Sequence, residues 1–140
     1  MPELNEEVTL RIPRLTCYLG VVRRAVVQMA RRAGFEREDI GKIEMAVDEA
    51  CTNAVCHSGT QGVGEIEVRL AIDERGIRVN LFDFGRPFTF EAKVDSLDDY
   101  LDRREPGGLG TYIIRRFMDE VEVRHAPATG NEIRLTKFRS

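Results

Sequence analysis

Residues 7–12, Glu7-Val8-Thr9-Leu10-Arg11-Ile12, alternate polar and apolar side chains, the period of a half-buried strand, and Pro13 stops it. The period then changes. Leu15, Leu19, Val22, Val26, Met29 and Ala33 recur at helical spacing, which predicts a helix over residues 15–33 with Gly34 as its cap. A second helix is expected over residues 36–57, carrying the apolar row Ile40, Ile43, Val47, Ala50 and Ala54 until Ser58-Gly59-Thr60-Gln61-Gly62 ends it. Alternation returns over residues 65–70 and 77–82, and the short turn Asp73-Glu74-Arg75-Gly76 makes these an antiparallel hairpin. The polar stretch 86–107 follows, with at most a short helix at residues 97–101. Connections this long are usually functional or disordered. A short helix at residues 111–118 and two strands, 120–125 and 132–137, complete the chain. Helices gather early and strands late. The expected fold class is α+β: a two-layer α/β sandwich whose mixed, mostly antiparallel sheet has helices on one face.

Composition narrows the function. The 140 residues make one domain, and 42% hydrophobic residues support a core without staples. A formal charge of −3 lacks the basic excess that counterion release rewards, so nucleic acid is not an expected partner. No apolar run approaches the roughly 20 residues a bilayer requires, and the polar, acidic N-terminus is the reverse of a secretory signal. The expected location is cytoplasmic. Cys17, Cys51 and Cys56 are odd in number and lack CxxC spacing, which argues against a disulfide framework or a zinc site and for buried reduced thiols. Arg24 and Arg31 share a face of the first helix, read either as solvated surface or as a contact for an acidic partner or a second subunit.

Three features could carry chemistry. Glu49 and Asn53, four apart, project about 40° from one another on the second helix, in a row that Ala46 and His57 extend. The carboxylate could act as a general base and the amide oxygen could take a place on Mg²⁺. On spacing alone the pair also reads as an incidental helix edge. Asp83-Phe84-Gly85 stands where a strand stops. The carboxylate can accept from an exocyclic amine and the glycine leaves room for a flat ring, although the same residues make a plain turn. Gly107-Gly108-Leu109-Gly110-Thr111 opens the last helix, where N–H groups and the helix dipole suit an anion. It equally reads as a hinge, and it matches neither the P-loop nor the dinucleotide fingerprint.

Taken in this order, with a polar lid between, the features resemble the N, G1 and G2 boxes of the GHKL (Bergerat-fold) ATPases. Within them the chain looks most like the RsbW-like anti-sigma-factor serine kinases. Met45-Ala46-Val47-Asp48-Glu49-Ala50-Cys51-Thr52-Asn53-Ala54-Val55-Cys56-His57 is similar to that group's N box, and residues 107–123 to its G2 box and the strand beyond. The resemblance implies an ATP-using serine kinase in which Asn53 ligands Mg²⁺ and Glu49 is the base. Asp83 accepts from the adenine amino group and Gly85 admits the base. Gly108, Gly110 and the amides entering the helix at Thr111 hold the phosphates. It further implies a sigma factor and a STAS-domain anti-anti-sigma protein as partners, and a homodimer. The alternatives are a nucleotide-gated binding module and a switch kinase that binds no sigma factor. One departure stands out: Pro87 occupies the place where the G1 box often has a second glycine. Arg86, Arg103, Arg104 and Arg115 are the candidates for the γ-phosphate, and His57 is read as a residue at the site's edge.

Overall fold

The structure, a computed structural model, describes residues 3–56, 64–83, 108–126 and 130–140. The expected short helix at residues 97–101 lies outside them, as does the rest of the polar stretch 86–107. Among the described residues five strands form one sheet: β1 (Asn5–Pro13), β2 (Glu65–Asp73), β3 (Gly76–Asp83), β4 (Glu120–Ala126) and β5 (Gly130–Phe138). Their spatial order is β1-β2-β3-β5-β4, and every neighbouring pair is antiparallel. The expected sheet is mixed and mostly antiparallel, and among the described residues every pair is antiparallel. β4 does run in the same direction as β3, but β5 returns between them.

Three helices, α1 (Leu19–Arg32), α2 (Arg37–Cys56) and α3 (Gly108–Phe117), pack on one face: α1 against β2, α2 against β3 and β5, α3 against β4. The period-two alternation sorts the strands accordingly. Ile66, Val68, Leu70 and Ile72 of β2, with Val79, Leu81, Ile133 and Leu135, are buried beneath Val22, Val26, Ile43, Val47 and Ile114. The opposite face is polar. There Asn80 donates to Glu132 at 2.7 Å, and Arg69 lies 4.5 Å from the ring centre of Phe82. A one-sided antiparallel sheet tolerates this arrangement.

The local departures have physical causes. The apolar period places the first helix from residue 15, whereas α1 begins at Leu19 after a 3₁₀ turn at Thr16–Tyr18. The Arg14 amide donates to the Gly64 carbonyl at 3.1 Å, and Leu15 keeps extended dihedrals (φ −137°, ψ 136°), so the backbone coils only after them. On α2 the expected stripe is buried from Ile43 onward, with Ile40 half-buried, and Ala46, Cys51, Asn53 and Val55 are buried too, because α1 and α3 flank this central helix. Cys51 is buried, its thiol pushed up to about 12 by burial and then by the charge of Asp48. Cys17 and Cys56 are exposed, which corrects the expectation of three buried thiols. They sit in the 3₁₀ turn and at the last residue of α2, beyond the packed stripe.

The β2–β3 hairpin closes through Asp73, whose Oδ1 accepts from the amides of Arg75 at 2.7 Å and Gly76 at 3.1 Å. Gly76 has φ +152°, and a Cβ there would collide with the Lys137 carbonyl oxygen of β5. Gly76→Ala should therefore lower the unfolding free energy by about 2–3 kcal/mol, read from urea denaturation. An unchanged midpoint would mean that the β3–β5 ladder gives way more easily than its close approach implies.

Candidate functional site

The second helix puts Glu49 and Asn53 one turn apart. Asn53 is buried, 8% exposed, and Glu49 is half-buried. Partial burial raises the Glu49 carboxyl above its ordinary 4.5, and neighbouring Asp48 pushes it the same way. Asp48 is itself held by Arg23 at 3.2 Å. A half-buried carboxylate with a raised proton affinity is suited to taking a proton from a hydroxyl.

Asp83 ends β3. Its cross-strand partner on β2 is Ile66, which is fully buried, so its side chain faces the helices and is only 1% exposed. A carboxylate taken out of water needs a partner, and Arg14 supplies it. The Arg14 guanidinium is 3% exposed and forms an ion pair with Asp83 through Nη2 and Oδ1. Through Nη1 it also donates to the Ala54 carbonyl at 3.0 Å. Ala54 directly follows Asn53, so one side chain links the helix of Glu49 and Asn53 to the strand end of Asp83. On the far side Asn131 of β5 stands opposite Asp83 in register, 2% exposed, with its Oδ1 2.7 Å from Nδ1 of His125.

The helix expected from residue 111 begins earlier, and Gly108 and Gly110 lie inside its first turn. The amides of residues 108–110 are therefore among the four that lack an intrahelical acceptor. α3 packs against α2, the helix that carries Asn53. Gly85, His57, Pro87 and three of the arginines considered for the γ-phosphate, Arg86, Arg103 and Arg104, lie outside the described residues; Arg115 is exposed in α3.

Among the described residues no group of three or more His, Cys, Asp or Glu side chains could hold a metal. A single neutral amide oxygen, Asn53 Oδ1, still fits Mg²⁺, which keeps water and phosphate oxygens as most of its ligands. Two polar residues of the site escape sequence reading. Arg14 follows a proline and looks like surface, and its role depends on residues far along the chain. Asn131 follows Gly130 and looks like a turn residue. Only the strand alternation, which places Asn131 on the side of Ile133 and Leu135, could have flagged it.

Comparison with known proteins adds the following. Residues 12–137 match the family described as histidine kinase-like ATPase domain. The chain is 36% identical to the serine-protein kinase RsbW of Bacillus pumilus, across 99% of this chain and 89% of that protein. With the serine-protein kinase RsbW of Bacillus subtilis the identity is 32%, across 94% and 84%. A crystal structure of the RsbU and RsbW domains of a Mycobacterium tuberculosis protein superposes with a TM-score of 0.69 at 19% identity, over 96% of this chain and 33% of that one, a likeness of fold.

Proposed function

Because this chain belongs to the histidine kinase-like ATPase domain family, we propose that it is an ATP-dependent serine-protein kinase acting as an anti-sigma factor. One observation carries the reading. A single buried guanidinium touches α2 at Ala54, the residue after Asn53, and β3 at Asp83, which supports reading the pair Glu49 and Asn53 and the Asp83 carboxylate as parts of one site. The likeness to the serine-protein kinases RsbW, over nearly the whole chain, supports a protein serine as phosphoryl acceptor.

In this reading Asp83 accepts from the adenine amino group, Gly85 leaves room for the base, and the free amides of residues 108–110 receive the phosphates. Asn53 would offer its amide oxygen to Mg²⁺, which when bound would supply positive charge at the phosphates. Glu49 takes the serine proton as the serine oxygen bonds to the γ-phosphorus. The bond from that phosphorus to the β–γ bridging oxygen breaks, and ADP leaves with the pair. Little covalent chemistry falls to the protein, so catalysis rests on positioning and on charge. The serine belongs to a STAS-domain anti-anti-sigma protein, and the kinase works as a cytoplasmic homodimer built from one domain. Among the described residues no helix is long and apolar enough to cross a membrane.

The test is incubation with γ-labelled ATP, Mg²⁺ and the STAS partner, with the partner's serine replaced by alanine as control. Label on the serine is the expected result. ATP-dependent capture of the partner without label would make the chain a nucleotide-gated binding module instead. Label transfer without sigma-factor capture would leave a switch kinase only.

A further inference from the structure

Arg14 does more than neutralise a charge. Two of its side-chain contacts lie on different elements, the carboxylate of Asp83 and the carbonyl of Ala54, and 40 residues separate Arg14 from Ala54 in the chain. At 3% exposure its guanidinium belongs to the floor between α2 and β3. Arginine never gives up its charge in proteins, and its planar fork holds two acceptors at once in fixed geometry. A neutral carboxylic acid can donate as well as accept, and would serve an amino or a keto purine. An ionised carboxylate only accepts. Fixed beside Arg14, Asp83 is oriented as an acceptor at a set distance from the backbone next to Asn53.

We propose that Arg14 is a positioning residue for nucleotide selection. By tying Asp83 to the Ala54 carbonyl it fixes the orientation in which the carboxylate accepts, which selects a purine with a six-amino donor over one with a six-keto oxygen. The inference rests on the reading of Asp83 as the base-side acceptor.

ATP and ITP, which differ at position six and in the N1 proton that the keto form carries, are the probes, titrated against the full chain and its Arg14→Gln and Arg14→Lys variants. Thermal unfolding without nucleotide checks folding. Wild type should prefer ATP by about 10–100-fold, the range of one hydrogen bond to a charged group. Arg14→Gln should bring that preference down about tenfold. Arg14→Lys keeps the charge but not the fork, and should raise KM for ATP at least about threefold with kcat retained. If Arg14→Gln folds and keeps the wild-type ATP-to-ITP ratio, Arg14 is structural only and the proposal falls. Should Arg14→Gln not fold, Arg14→Lys decides: a KM for ATP equal to wild type overturns the proposal. A failure of the Asp83 reading looks different, because wild type itself would then show no preference and Asp83→Asn would bind ATP unchanged.

Discussion

Glu49→Gln should lower phosphoryl transfer to the serine partner by roughly 10²–10⁴-fold, the usual worth of a positioned general base, while ATP still binds. Gln keeps the shape of the side chain and removes only the ability to accept a proton. Single-turnover transfer and a separate nucleotide titration read the two effects apart. A variant that loses binding together with transfer would assign Glu49 to the nucleotide. The wild-type pH profile carries a second signature. The carboxyl is raised by partial burial and by Asp48, and the base works only when ionised. Transfer should thus fade, as pH falls, at values above the ordinary 4.5 of glutamate. The sign for stability is opposite to the sign for activity. The unfolded chain releases this proton at lower pH than the folded one, so ionisation at neutral pH favours unfolding. Glu49→Gln removes that penalty, and its melting temperature at neutral pH should hold or rise. A clear fall would show that the carboxylate has a structural partner.

Asp83→Asn should weaken ATP binding by about 10–100-fold, because an amide accepts a hydrogen bond more weakly than a carboxylate. It should also destabilise the apo protein by about 3–5 kcal/mol, since Arg14 would keep its charge in a buried place with a neutral partner. Isothermal titration and chemical denaturation measure the two losses. Equal losses for ATP and for tripolyphosphate would place the defect in the fold, whereas a loss confined to ATP places it at the base.

How much of this was legible in the sequence depended on whether the physics was local. Val22, Val26 and Met29 announce one helix face, and Ile66, Val68 and Leu70 one strand face, because both periods follow from backbone geometry alone. Glu49 and Asn53 were legible as a pair for the same reason, since one turn separates them. What the pattern missed was long-range. Nothing near Arg14 indicates that an acid and a carbonyl from two other elements will close over it. The burial of Asn53 beyond the stripe reflects α3 arriving on the far side of α2, a packing event that no local window contains. The antiparallel pairing of all the described strands likewise depends on where β5 lands, and not on the character of any single strand.

The sheet order has a consequence for how the protein is made. β1 pairs with β2, Pro13 opposite Glu65 and Asn5 opposite Asp73, with both long helices lying between them in the chain. During synthesis β1 leaves the ribosome first and has no neighbour until β2 follows. Arg14 waits longer still: about 70 residues, or roughly 4–14 s at ordinary translation rates, pass before Asp83 emerges. Through that interval a guanidinium destined for the interior stays in water, where its charge costs nothing. Its burial beside Asp83 therefore cannot precede the synthesis of β3, which carries its counter-ion.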